Sequence, residues 1–478
     1  MDAGEFKLHI RAKTGLRIEE TAKLCDQIEE FIRQKIPAKD LDGILDNIGL
    51  PYSGINLSYS NSGVIGSSDA DILVSLKPGH KPTADYQREL RDELPKQFPG
   101  TLFMFQPADI VSQILNFGLP SPIDIQLVSS NATKNLDLAR EIAERLAHVP
   151  GAVDVHVQQA YDEPKFEISM DRSQAEQIGL TANNIAQSVL VSLSGSFQTS
   201  PTFFLDPKNG VSYNIAVQAP QYNISSLQDL ENMPLHGNNG TQILANVATI
   251  KRTSEPAVIT HYDIRQVIDV FANVQDRDLG GVASDVNKVL AEVKKDVPKG
   301  TDVIVRGQVL TMQQSFTGLF QGLAGAIVLV YLLMVVNFQS WSEPFIIIMA
   351  LPGALAGIVW MLFITGTTMS VPALMGAIMC IGVATANSIL VISFAKERLA
   401  ALGNARQAVL EAGTTRLRPV IMTATAMIIG MVPMALGLGE GGEQNAPLGR
   451  AVIGGLLVAT VATLFFCADG LQYHPRTQ

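Results

Sequence analysis

Along the first two-thirds of the chain, apolar residues alternate, then recur at helical spacing, then alternate again. EFKLHIRA sets Phe6, Leu8 and Ile10 on one strand face, and Ile18, Leu24, Ile28, Phe31 and Ile32 then mark one face of a helix. DILVSLK (71–77), a helix over 84–97, a Pro99-Gly100 turn and the strand TLFMFQ repeat the pattern. IDIQLV (123–128), a helix over 135–148, Pro150-Gly151 and AVDVHV repeat it again. A last copy runs through VIDVFANV (267–274), a helix over 281–296, a turn with Pro298 and Gly300, and DVIVRG. Strand, helix and returning strand form the building block of ferredoxin-like split βαβ units. Residues about 165–260 break the rhythm. FEISMD, a helix over 173–190, FFLDPKNGVSYNIAVQ with a DPKNG hairpin turn, and the polar turn HGNNG predict a second, mixed subdomain inserted into the first.

From Phe316 onward the pattern becomes one of long apolar runs. Five of them, at about 316–337, 344–364, 370–395, 418–438 and 447–467, match the roughly 20 residues that cross a bilayer. None holds Asp, Glu, Lys or His in its central part. The predicted fold class is therefore an α+β region followed by an all-α membrane bundle of about five helices. The connection 396–418 carries Lys396, Arg398, Arg406, Arg416 and Arg418 against Glu397 and Glu411, while 439–449 carries only Glu440 and Glu443. The excess of Lys and Arg puts 396–418 in the cytoplasm and residues 1–311 on the other side. So large a hydrophilic region needs a signal or a preceding membrane helix to cross, and MDAGEFKLHIRAKTG reads as neither. The expectation is a fragment of a larger transporter, truncated at both ends, with 468–478 an atypical tail.

Composition narrows the classes further. The 478 residues carry a formal net charge of −10, which argues against nucleic acid as a partner. The three cysteines (25, 380, 467) and seven histidines show no disulfide or metal-ligand spacing, so no metal and no cofactor is expected. No serine nucleophile elbow exists, and an enzyme is not expected. GLGEGG (437–442) matches the letters of a dinucleotide fingerprint but joins two membrane helices, so its context fails. Gly318-Gly322 and Gly353-Gly357 are small-residue pairs that let membrane helices approach, and Pro344 and Pro372 suit helix starts. The stretch GVATANSILVISFAKERL (382–399) holds Thr385, Asn387 and Ser388 in mid-membrane. These are either interhelical hydrogen-bonding groups or a polar patch beside a proton or ion path.

That stretch, together with NFQSWSEPF, RLRPVIMT and GMVPMALG in order and spacing, resembles the resistance-nodulation-division (RND) efflux pumps of the hydrophobe and multidrug type, in their carboxy-terminal half. The resemblance reaches to Phe466. It implies a first porter subdomain (1–118), a second in two parts (119–175 and 259–311), a docking subdomain between them (176–258) and a transmembrane domain (312–467). It implies a proton-driven, multi-pass permease of the bacterial inner membrane with a large periplasmic region. Its partners would be the missing amino-terminal half, two further copies in a homotrimer, a periplasmic adaptor, an outer-membrane channel and small hydrophobic substrates. Thr423 matches the family's relay hydroxyl, Arg416 its basic residue at the cytoplasmic end and Asn387 its third-helix asparagine, with Thr385 and Ser388 alongside. The lysine many members carry before that asparagine is Ala386 here. Leu50 and Tyr52 fall in the family's switch loop beside the drug pocket, with Phe103 and Phe105 as further wall or core residues. Rival readings are export of lipids or metal ions by the same machinery, and a membrane-anchored interaction module that transports nothing.

Overall fold

The structure, a computed structural model, describes residues 4–49, 64, 66–129, 132–198, 200–237, 240–295, 297–438 and 442–470. It divides into two compact units, one holding residues 1–12, 18–158 and 260–478, the other 13–17 and 159–259.

The larger unit begins with β1 (Glu5–Arg11), α1 (Ile18–Lys35), β2 (Leu41–Ile48), β3 (Asp69–Leu76), α2 (Thr83–Gln97) and β4 (Leu102–Gln106). The strands pair antiparallel in the order β2-β3-β1-β4. Phe6, Leu8, Ile10, Ile72 and Val74 point to one face and are buried with Ile28, Ile32, Leu90 and Leu94 of the two helices. Strand β2 was not expected. Its sequence LDGILDNI is rich in Asp, Asn and Gly, residues poor in strands, and pairing with β3 together with Leu41, Ile44 and Ile48 against the core holds it.

The connection to the next sheet contains α3 (Ile110–Leu115). Then come β5 (Ile123–Ser129), α4 (Ala132–Leu146) and β6 (Ala152–Val157). The smaller unit follows with β7 (Glu163–Met170), α5 (Arg172–Gln177), α6 (Ala182–Ser194), the hairpin β8 (Thr202–Leu205) to β9 (Ser212–Ile215), α7 (Leu227–Glu231), the pair β10 (Pro234–Gly237) and β11 (Gly240–Ile243), and β12 (Ala248–Glu255). Its core gathers Ala175, Leu180, Ile185, Leu230, Leu235 and Leu244. The helix expected over 173–190 is two helices: Gly179 sits at φ +75°, and the Thr181 hydroxyl accepts from Asn184 N–H to start the second.

The larger unit resumes with β13 (Thr260–Tyr262), β14 (Arg265–Val274), α8 (Leu279–Val293) and β15 (Asp302–Arg306). Its second sheet places β15 beside β5, β5 beside β14, and β6 beside β14. With the short β13, which pairs with the start of β14, left aside, the order repeats that of the first sheet. The smaller unit is inserted between its second and third strands. The returning turns agree as well, with Gly100, Gly151 and Gly300 at φ +86°, +86° and +88°.

Strand β15 passes into the bundle through a single residue, Gly307, at φ +79°. A Cβ there would lie 2.6 Å from the Pro122 carbonyl oxygen. The bundle comprises α9 (Gln308–Phe338), α10 (Ser342–Ile348), α11 (Leu351–Ile364), α12 (Val371–Leu402), α13 (Ala405–Ala435) and α14 (Gly442–Gly470). It offers five apolar segments long enough to cross a membrane, the second made of α10 and α11 together. The basic connection expected at 396–418 is mostly helical. It turns only at Gly403 (φ +66°) and Asn404, whose side chain accepts from Arg406 N–H. Of the glycine pairs, Gly353 and Gly357 meet α14 at Ala462, Gly454 and Val458, whereas Gly318 and Gly322 meet nothing within 4 Å.

Candidate functional site

Both sheets carry helices on one face and charge on the other. On the first, His9 and Arg11 of β1 lie opposite Asp71 and Asp69 of β3 in the strand register, with Lys7 two residues along from His9. His9 Nδ1 lies 2.6 Å from Asp71 Oδ1, Lys7 Nζ 2.9 Å from Asp71 Oδ2, and Arg11 Nε 3.1 Å from Asp69 Oδ1. Burial pushes the Asp71 carboxyl up, but the His9 hydrogen bond and the neighbouring charges outweigh it and leave the pKa below the ordinary value. On the second sheet Asp124 and Asp269 are both buried, with Gln126 Nε2 donating to Asp124 at 2.9 Å. Burial, then the Asp269 charge, hold Asp124 well above the usual carboxylate value. The His156 imidazole beside them is lowered to about 4, mainly by burial.

The two sheets meet along β4 and β6 through side chains. Asp154, at φ +53°, accepts from Arg91 Nε at 2.7 Å and Arg91 Nη2 at 2.8 Å. It also accepts from Phe105 N–H at 3.1 Å and from Asn273 Nδ2 at 2.8 Å, and Asn273 donates again to the Phe105 carbonyl at 2.5 Å. The Arg91 guanidinium lies 4.7 Å from the Phe105 ring centroid. In front of this joint opens a cleft of about 620 Å³. Arg91, Phe105, Gln106, Asn116, Asn273 and Gln308 are among its walls, so it reaches from β4 to the first residue of α9. Apolar rings and aliphatic groups beside amides suit an organic ligand with both characters.

In the bundle, the hydroxyls of Thr385 and Ser388 donate to the Ile381 and Ala384 carbonyls at 2.7 and 2.9 Å. Ser388 Oγ also lies 3.1 Å from Thr463 Oγ1 of α14, both fully buried. Thr423 donates to Asn387 Oδ1 at 3.2 Å, across α13 and α12. Two polar contacts thus join α12 to its neighbours, Asn387 with Thr423 of α13 and Ser388 with Thr463 of α14, while the Thr385 hydroxyl is held by its own helix. The patch can solvate a proton carrier, but it holds no group that ionises.

The family model for the AcrB/AcrD/AcrF family matches residues 1–468. The chain belongs to this family. It is 26% identical, over 97% of its own length and 43% of the relative's, to the cobalt-zinc-cadmium resistance protein CzcA of Cupriavidus metallidurans. It is 26% identical, over 95% of its length and 42% of the relative's, to the multidrug resistance protein MdtC of Serratia proteamaculans. A crystal structure of a heavy metal efflux pump matches in fold with a TM-score of 0.84 at 24% identity, covering 99% of this chain and 47% of that one. The chain thus spans less than half the length of these relatives.

Within that family fold, the site residues expected from sequence scatter. Of the bundle residues, Asn387 and Thr423 meet, whereas Ser388 meets Thr463 instead and Thr385 bonds the Ile381 carbonyl of its own helix. Arg416 lies at the other end of α13's polar stretch, its guanidinium 4.6 Å from the Phe394 ring, which Arg398 also approaches at 5.2 Å. Phe105 is buried yet lines the cleft, whereas Phe103 is core only, near the Phe98 ring. Leu50 and Tyr52 lie outside the described residues. Asp154, Asn273 and Thr463 were missed from sequence. Asp124 and Asp269 were missed too, although each is an aspartate inside an apolar strand, which was the available signal.

Proposed function

We propose that this chain is the carboxy-terminal part of a proton-driven RND exporter of the bacterial inner membrane. It would supply two porter subdomains and a docking subdomain on the periplasmic side, and five of the spanning helices. It would work with the remaining part of the pump, as a trimer, joined to a periplasmic adaptor and an outer-membrane channel. The substrate class we favour is amphiphilic organic compounds, drugs among them. The observation that carries this is the cleft, where Phe105, prolines and aliphatic groups stand beside amides, the carboxylates of Glu5 and Asp109, and a guanidinium already neutralised by Asp154. A soft metal ion would want thiols, thioethers or imidazoles, and none lines this cleft among the described residues. The names of relatives such as CzcA favour a second reading, export of metal ions.

Co-expression with the complementary half of a family pump, in a pump-deficient strain, separates the two. Efflux of planar cationic dyes is expected. Resistance to cobalt, zinc or cadmium without dye efflux would replace the first reading by the second, and neither activity would leave an interaction module. In the same cells Asn387→Leu is expected to lower the efflux rate about tenfold with membrane levels unchanged. Its amide is a partner that a protonating carboxylate would use, and such a loss is worth about 1–3 kcal/mol. Wild-type efflux from that variant would assign the patch to helix packing.

A further inference from the structure

The short helix α3 is built inside out. Its polar side chains turn toward the protein: Asn116 is buried at its end, Ser112 and Asn116 line the cleft, and Gln113 Nε2 donates to the Ala108 carbonyl at 3.0 Å. Its outward face is Ile110 and Ile114, exposed at 72% and 68%, flanked by Val111 and Leu115, and Phe117, 68% exposed, follows just past its end at φ +56°. The spacing is that of one helical face, and a face of this composition is not one that water favours.

The topology says what lies below it. Arg306, the last residue of β15, pairs through Asp124 with Phe271, so these ends of the second sheet's strands are the ends from which α9 leaves. The connection holding α3 joins β4 to β5 at that same end, where Asn273 binds the Phe105 carbonyl. Thr311, in the first turn of α9, donates to the Leu115 carbonyl at 3.1 Å and pins α3 there. With 31 residues, α9 is about 46 Å long. That exceeds the roughly 30 Å of bilayer hydrocarbon, so its first turns stand among the headgroups. Thr311 precedes the apolar run at Phe316 by five residues, or about 7 Å of helix rise, comparable to the depth of one headgroup layer.

We infer that α3 is an interfacial anchor: Ile110, Ile114 and Phe117 are immersed in the lipid leaflet that faces the sheets, and its polar face forms the sill of the cleft. The partner is a lipid surface, and the inference rests on the reading of α9 as a membrane span.

The test places single fluorophores on the full chain in lipid nanodiscs. Ile110→Cys and Ile114→Cys are labelled in a Cys467→Ser background, Cys25 and Cys380 being buried. Nitroxide lipids carrying the quencher near the headgroup are then added. Two reference sites frame the result. Leu333→Cys lies on the exposed side of α9, and Ile264→Cys, 95% exposed, lies at the far end of β14, roughly 23 Å from Phe271 along the strand. Expected are a blue-shifted emission and quenching at Ile110 and Ile114, as at Leu333, with none at Ile264. Quenching at Leu333 but not at Ile110 or Ile114 would overturn the anchor alone. No quenching at Leu333 would overturn the membrane span, and the anchor with it.

Discussion

Asp154→Ala is expected to destabilise the chain by about 3–5 kcal/mol and to lower its unfolding temperature in detergent sharply. The carboxylate is 3% exposed and accepts from a guanidinium that is itself 16% exposed, from one backbone N–H and from one side-chain amide. Removing it leaves a mostly buried cation unpaired and strips a backbone donor of its acceptor, which is why the loss exceeds that of an ordinary hydrogen bond. Asp154→Asn keeps an acceptor and tolerates the left-handed backbone, so a smaller loss is expected. The pair Arg88–Asp276 spans the same two sheets but is exposed, and Asp276→Ala is expected to change stability little. Equal effects of Asp154→Ala and Asp276→Ala would show that the joint derives nothing from burial.

Gly454→Leu is expected to prevent assembly of the bundle, read as loss of the monodisperse peak on size exclusion in detergent. At Gly454 an added Cβ falls on Met361 and 2.6 Å from the Gly357 carbonyl oxygen, and at Gly357 it falls on Gly454 and 2.7 Å from Val458 Cβ. The nearest obstructing atoms are carbonyl oxygens and Cβ atoms, which rotamer changes do not move, so α11 and α14 must separate. Overpacking of a tight core costs about 1–3 kcal/mol even where side chains can adjust. Gly382→Leu, on α12, meets nothing within 4 Å and serves as the tolerated comparison. A normal peak from Gly454→Leu would mean that the two helices do not pack as closely as described.

Much of this fold was legible because periodicity reports burial. The strands at Phe6–Ile10 and Ile123–Val128 and the helix from Ile18 announce themselves through residues that end buried. Strand β2 did not, because its partner rather than its composition makes it a strand. The break between α5 and α6 turned on one glycine, Gly179, inside a window that otherwise kept helical spacing. The hydroxyl cluster was readable on α12, where Thr385, Asn387 and Ser388 interrupt an apolar run. Its partner Thr463 was not, since one threonine in the last run carries no local sign of what it faces. Asp154 was invisible for a plainer reason. Its three donors, Arg91 of α2, Phe105 of β4 and Asn273 of β14, lie on both sides of it in the sequence, the last more than a hundred residues away, and no local pattern joins them.

Gly307 has a mechanical consequence. One residue separates the last strand of the second sheet from a helix 31 residues long, and the Pro122 carbonyl stands where a side chain on that residue would be. With so short a link, a tilt or rotation of α9 is expected to reach β15 first and then β5 and β14 through their ladders, and the cleft wall at Gln308 moves with the helix that carries it.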